Sequence, residues 1–400
     1  MIISTLEIIL ACILGALSTL LCIELLLGAL FFSQKQKKQS KTTSVANVIL
    51  IPAHNEAQVI EKTLINLKEN ISPQDTIVVV ADNCSDNTNQ LCEAHGATVL
   101  ERFSDTEKGK GYALDYGTKW ILNNLKFDNL ILFDADCVFT PGSYDQLVLS
   151  VTSSNKICQS VYLMQANEGN TKAKIGEFTW WLKNAIRATG LNMLHIGCHI
   201  QGSGIAFPKA SLASVDFASG SIVEDLELGL KLSINKNRVL FCANSTVLST
   251  FPENEEGLNE QRKRWEHGHL DTVMKSPQFI FKAIEKRTPR AILLILDATI
   301  PPLFAYLSLL VGLLGLGFVL SFFDHYILFN AMLTNLFALV FSLIVIWLIK
   351  GRQILQIGDI PKIMQFVRDK FSIYFSFATS KQTTWVKTTR DENKDEKNKD

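Results

Sequence analysis

Five short motifs carry the side chains best suited to chemistry: His54-Asn55-Glu56, Asp82-Asn83-Cys84-Ser85-Asp86, Asp134-Ala135-Asp136, Glu224-Asp225 and Gln261-Arg262-Lys263-Arg264-Trp265. A diphosphate ligand concentrates negative charge, and its departure as a leaving group adds more. Hard cations such as Mg2+ or Mn2+ neutralise that charge and prefer carboxylate oxygens combined with phosphate oxygens. Asp134 and Asp136 follow an apolar run that reads as a strand, so both can reach a pocket rim as metal ligands, Asp134 also touching the donor; a solvated turn is the alternative. Asp225 is the candidate general base that strips a proton from an incoming hydroxyl, with Glu224 supporting it, although both could simply cap a helix.

Gln261, Arg264 and Trp265 share one helical face at i, i+3 and i+4. Arg264 there can stabilise a departing diphosphate, and Trp265 offers a flat apolar surface. Arg262 and Lys263 are expected to meet anionic lipid. Asn55, Glu56 and Asp82 are candidates for holding a nucleoside, or for capping the helices that follow them. Lys110, in Lys108-Gly109-Lys110-Gly111 before a helix, suits phosphate, but no P-loop spacing is present. Gly202, Ser203 and Gly204 allow close backbone approach of an acceptor, or form a tight turn.

These residues need a frame. Val48 to Pro52, Thr76 to Ala81, Ala97 to Leu100 and Asn129 to Phe133 read as buried strands; Ala57 to Glu69, Asn87 to His95 and Gly111 to Leu125 carry helical periodicity. The alternation predicts an α/β fold with a mainly parallel sheet flanked by helices. Ligands bind beyond the carboxyl ends of such strands, where three of the motifs fall.

Apolar runs flank this domain. Ile8 to Phe32, Leu303 to Phe323 and Ile327 to Ile349 are each long enough to span a bilayer. Lys35, Lys37, Lys38 and Lys41 follow the first, and Lys350 and Arg352 the last. The charge bias places the N-terminus outside and the domain in the cytoplasm of a multi-pass plasma-membrane protein. Glu24 inside the first run is read as a protonated or interface-snorkelling acid, or as a polar contact with another helix or a lipid headgroup. The expected division is an anchor and basic linker over 1–43, a catalytic domain over 44–290, a transmembrane hairpin over 291–352, an amphipathic membrane-surface segment over 353–390 and a charged tail over 391–400. Phe279 to Ile300 is expected partly along the interface. Lys plus Arg equal Asp plus Glu at 39 each, which gives no reason to expect nucleic acid; the eight cysteines lack CxxC spacing, which suits a reducing compartment without a zinc site.

The ordered set Asp134–Asp136, Glu224-Asp225 and Gln261-x-x-Arg264-Trp265 resembles the membrane-bound group of family 2 glycosyltransferases, which includes cellulose, chitin and hyaluronan synthases and ceramide glucosyltransferases. The likeness covers roughly Asn47 to Trp265, and Trp385 to Arg390 resembles a segment of bacterial exopolysaccharide transferases. It implies a GT-A fold, an inverting reaction and a UDP-sugar donor. Asp82 would then hold the uracil or ribose region, Asp136 would be the main metal ligand, and Asp225 the base. Gln261, Arg264 and Trp265 would frame the leaving group and acceptor. Val223 departs from the Thr of many processive synthases, and three spans leave polymer export to a partner. The acceptor is expected to be a lipid or a growing polysaccharide. Single addition to a membrane lipid is the alternative, and a non-catalytic nucleotide-sugar sensor or scaffold the reading from another class.

Overall fold

The computed structural model describes residues 2–33, 45–167, 170–221, 223–252, 255–359, 361–363 and 366–367. The basic linker, most of the amphipathic segment, Trp385 to Arg390 and the charged tail lie outside the described residues. Eight strands form one sheet in the order β3-β2-β1-β4-β7-β6-β8-β5. They are β1 (Asn47–Ala53), β2 (Thr76–Asp82), β3 (Thr98–Arg102), β4 (Asn129–Leu132), β5 (Val138–Phe139), β6 (Cys158–Gln165), β7 (Ile205–Pro208) and β8 (Leu240–Thr250). Strands β3, β2, β1 and β4 run parallel, as the alternating pattern predicts. The other half is mixed: β7 is antiparallel to β4 and β6, β5 is antiparallel to β8, and only β6 and β8 pair in parallel.

Side chains alternate across a strand, and β1 shows the consequence. Ile49 and Ile51 join Val79 and the buried Ile60, Leu64 and Leu67 of α2 (Ile60–Asn70) after α1 (Ile2–Phe31). Val48 and Leu50 instead join Val78, Val80 and the buried Leu114 and Ile121. These last two belong to α4 (Lys110–Asn124), which follows α3 (Thr88–Ala94). Each such aliphatic side chain taken from water contributes about 1.5–3 kcal/mol before chain entropy is counted. A parallel strand covered on both faces must therefore be apolar throughout, which leaves its carboxyl end as the place for polar groups.

Beyond the sheet come α5 (Ser143–Ser154) and α6 (Thr171–Trp181), which runs through a π-helical turn, Leu182–Arg187, into α7 (Ala188–Met193). Then follow α8 (Glu224–Ile234), α9 (Glu255–Glu285), α10 (Pro289–Thr299), α11 (Leu303–Ser321) and α12 (Ile327–Ile349). Helices α1, α11 and α12 are long and apolar enough to cross a membrane. Helix α1 packs on α12 and also on the π turn and α7. A Cβ on Gly28 would collide with the Ile186 carbonyl, and one on Gly190 with the backbone of Glu24, so two glycines let these helices touch backbone to backbone.

Two expectations change. Glu24 is fully buried and accepts from Arg187 Nε at 3.4 Å, so it contacts another helix and does not snorkel. Arg262 is buried too: Nη2 donates to the Lys172 carbonyl at 2.9 Å and the guanidinium covers the Phe366 ring, which takes it away from lipid. Helix α10 packs on α8 and α9, while Phe281, Ile284 and Leu293 remain exposed.

Candidate active site

A cavity of about 700 Å³ opens at the carboxyl ends of β1, β2 and β4 and runs down to the π turn, α9 and α10. At the donor end, Asp82 closes β2 and is buried; its Oδ1 accepts from Arg102 Nη1 at 2.7 Å and Asn83 Nδ2 at 3.1 Å. Arg102, whose Nη2 also reaches Glu107 at 3.0 Å, holds this carboxylate in place. His54 Nδ1 lies 2.7 Å from the Asp82 carbonyl oxygen, and Glu56 lines the same wall. Asn55, with φ of 54°, has another position: its Oδ1 accepts from Ser85 N at 2.7 Å and Asp86 N at 3.2 Å, so it ties the two strand-end loops together behind the wall.

The β4 end carries the charge centre. Asp134 Oδ1 pairs with Lys110 Nζ at 2.6 Å, and the same ammonium donates to the Gly202 carbonyl at 2.9 Å. Burial pushes the Asp134 carboxyl up, though Lys110 opposes this. For Lys110, burial alone would lower the pKa, but Asp134, Glu224 and Asp225 together raise it, so it stays charged. Asp136 accepts from Ser249 Oγ at 3.1 Å. Donor atoms of Asp134, Asp136 and Cys137 lie within 4.8 Å of one another. Burial, with Asp136 and Asp134 beside it, drives the Cys137 thiol far up, and its soft sulfur matches a hard cation poorly. The two carboxylates fit Mg2+ or Mn2+, and the Lys110 ammonium marks the spot as one where positive charge is favoured.

Glu224 and Asp225 open α8, whose N-terminal dipole favours acids there. Burial pushes Glu224 up to about 7, Asp225 and Asp134 add to this, and Lys110 counteracts it. Asp225 Oδ1 accepts from Leu226 N at 2.8 Å. Gly202, with φ of 101°, sits where these groups converge: a Cβ there would lie 3.4 Å from Asp225 Oδ2 and 3.9 Å from both Asp134 Oδ2 and Lys110 Nζ. Ser203 and Gly204 lie behind, in the sheet: Ser203 Oγ accepts from Asp134 N at 3.0 Å, and Gly204 bonds to Leu132 and Ser160.

On α9, Gln261, Arg264 and Trp265 all line the cavity, as their spacing predicts. Arg264 sits where burial lowers its pKa, with Glu224, Asp136 and Asp134 among the charges that offset this. Trp265 stacks obliquely on Trp180 at 4.5 Å between ring centroids, and Trp180 meets Tyr162 edge-on. Trp180, Arg102 and the deeper Lys183, Arg187, His199, His269 and Asp297 escaped the sequence reading: Trp180, Lys183 and Arg187 recur at helical spacing, but the others come from separate elements.

The pattern of the family described as glycosyltransferase like family 2 matches residues 47–268, more than half of the chain. The chain belongs to this family. The match takes in the whole sheet and ends within α9. Among its relatives, the 4,4'-diaponeurosporenoate glycosyltransferase of Staphylococcus aureus is 28% identical over 126 residues, 31% of this chain and 33% of that protein. The poly-beta-1,6-N-acetyl-D-glucosamine synthase of S. aureus is 24% identical over 273 residues, 65% of this chain and 63% of the synthase. The chain thus spans about a third of one relative and under two thirds of the other. A solved mannosyltransferase from Pyrobaculum calidifontis, in complex with GDP-Man and Mn2+, aligns over 83% of this chain and 98% of its own at 16% identity, with a TM-score of 0.47.

Proposed function

We propose that the chain is a membrane-bound inverting glycosyltransferase that moves a sugar from a UDP-sugar to a lipid-linked or growing polysaccharide acceptor. The observation that carries this reading is the convergence of Asp134, Lys110 and Asp225 around Gly202, within a cavity that extends to the helices packed on α1. Three apolar helices support membrane attachment, with α1 entering from outside and the catalytic domain facing the cytoplasm.

In this reading Asp82 and Glu56 hold the nucleoside. Asp136 and Asp134 would hold Mg2+ or Mn2+, which when bound supplies positive charge to the diphosphate. Asp225 accepts the proton of the acceptor hydroxyl as that oxygen attacks the anomeric carbon. The bond from that carbon to the phosphate oxygen breaks, its electron pair leaves with UDP, and configuration inverts in the single displacement. Arg264 and Lys110 balance the charge that develops on UDP, a role worth most where water is excluded. Trp265 and Trp180 present a platform for a sugar ring. Export of a long product would need a partner.

A second reading, a single addition to a membrane amphiphile, is favoured by the depth of the cavity toward α1 and fits the name of the diaponeurosporenoate relative. The test is UDP release by the purified, detergent-solubilised chain over a panel of UDP-sugars with Mn2+ or Mg2+. We expect release with one sugar, abolished by chelator and by Asp136→Ala. Turnover of the variant within about threefold of wild type, less than 1 kcal/mol in the barrier, would remove Asp136 from the mechanism. Product length separates polymer extension from single addition.

A further inference from the structure

Past Asp225 the cavity continues into a chamber that the transfer chemistry leaves unused. The π turn forms one side, and His269 of α9 and Asp297 of α10 form the other. A π turn is an uncommon, wide turn often found at functional sites. Here it sends Lys183 and Arg187, four residues apart, to the same wall.

Most charge on this wall is already matched. Asp297 pairs with Arg187 and lies 2.6 Å from His199 Nε2, and Arg187 reaches on to Glu24. His269 donates from Nε2 to the Ala298 carbonyl at 3.0 Å. Burial, with Lys183 and Arg187 nearby, pushes His269 down to about 3, so it is uncharged at neutral pH. Lys183 is the exception. Its side chain is open to the cavity, and it makes no hydrogen bond or ion pair with any described residue. Burial lowers its pKa although Asp225 acts the other way, and the two do not form an ion pair. An ammonium that faces the cavity with no partner among the described residues is open to pairing with an anion delivered there.

The apolar lining next to Lys183 comes from Ala188 and Leu191 of α7, the helix that α1 packs against. Resting on the transferase reading above, we propose that Lys183 binds the anionic group, a phosphate or carboxylate, of an amphipathic acceptor that enters from the membrane side. The apolar part of that acceptor lies along α7, and its hydroxyl reaches Asp225. Without the anion, Lys183 faces the cavity with no partner among the described residues and the acceptor lacks its anchor.

The experiment uses the full chain in nanodiscs of zwitterionic lipid, with empty nanodiscs subtracted. Calorimetric binding of decyl phosphate, decanoate, decanol and inorganic phosphate is compared for wild type, Lys183→Gln and Lys183→Arg. We expect decyl phosphate and decanoate to bind saturably and to weaken by about thirtyfold or more in Lys183→Gln, as when one partner of a buried charge pair is removed. Lys183→Arg should keep most of the affinity, which separates charge from packing. Decanol binding as tightly as decyl phosphate, or equal affinity in Lys183→Gln, overturns the proposal. Inorganic phosphate matching decyl phosphate overturns the membrane origin and assigns a soluble anion. UDP binding with Mn2+ is measured on the same samples. Loss of UDP binding by wild type, with Lys183-dependent decyl phosphate binding intact, sinks the transferase reading and leaves the anion site standing.

Discussion

Glu224 should make the protein less stable as pH rises toward neutrality, and Glu224→Gln should remove that slope. Its pKa is 4.5 ordinarily and about 7 in the fold, where burial next to Asp225 and Asp134 outweighs the help of Lys110. The folded state therefore binds this proton more tightly than the unfolded chain does. The stabilisation is complete below about pH 4.5 and is lost as pH rises through about 7. At about 1.4 kcal/mol per pH unit the difference amounts to roughly 3 kcal/mol, which for a domain of this size corresponds to a fall in apparent melting temperature of about 6–12 °C. The assay is thermal unfolding of detergent-solubilised protein in chelator-containing buffer from about pH 5 to about pH 8. Wild type should lose melting temperature across this range, and Glu224→Gln, uncharged throughout, should stay flatter and exceed wild type at the alkaline end. Replacing the chelator with Mn2+ alone should shift the wild-type fall to lower pH, because added positive charge favours the ionised acid. A Glu224→Gln variant with the wild-type slope would show that Glu224 does not carry this proton, and the electrostatic account of the site would fall with it.

Asp225→Asn should reduce UDP release at saturating donor and acceptor by about 10²–10⁴-fold, the usual worth of a positioned general base, while donor binding measured by calorimetry persists; a loss of only a few-fold would move the base elsewhere. Arg187→Met leaves the buried Asp297 and Glu24 without their shared cation. It should destabilise the protein by about 3–5 kcal/mol, read as a lowered melting temperature, and unchanged stability would deny the Glu24–Arg187–Asp297 chain any part in seating α1.

The parallel half of the sheet was legible because its physics is simple. Strands β1, β2 and β4 are covered on both faces, so they must be apolar runs, and acidic residues just after such runs can only stand at the pocket rim. The mixed half hid behind polar residues. Gln159 and Ser160 of β6 and Ser245 of β8 are fully buried and satisfied, with the two serine hydroxyls 2.7 Å apart and Gln159 bonded to the Ser203 carbonyl. A hydrophobicity pattern cannot register a strand whose interior groups are polar and paired. Asn55 stood within a candidate nucleoside motif and Ser203 and Gly204 in a glycine turn open to an acceptor; Asn55 Oδ1 accepts from the Ser85 and Asp86 amides, and Ser203 and Gly204 bond to Asp134, Leu132 and Ser160. The inner chamber left no sequence signal beyond the helical spacing of Lys183 and Arg187. Lys183, His199, His269 and Asp297 are brought together only by tertiary packing.

That packing bears on how the long apolar helix α1 and the cavity are joined. A buried ion pair is a poor source of net stability, since well-packed apolar residues of similar volume often do as well or better. The chain from Glu24 through Arg187 to Asp297 and His199 is therefore better understood as a fixture of position. It works with the glycine contacts of Gly28 and Gly190, which allow α1 to touch the π turn at backbone distance and leave little freedom to slide. The polar chain sets the register of that contact, because only one helical turn of α1 presents a carboxylate to Arg187. Arg187 and Lys183 sit on the same π turn, so fixing one fixes the other. The long apolar helix α1 thereby determines where the Lys183 ammonium stands relative to Asp225, and on the proposed function an acceptor carried in the membrane would meet a site whose depth that helix sets.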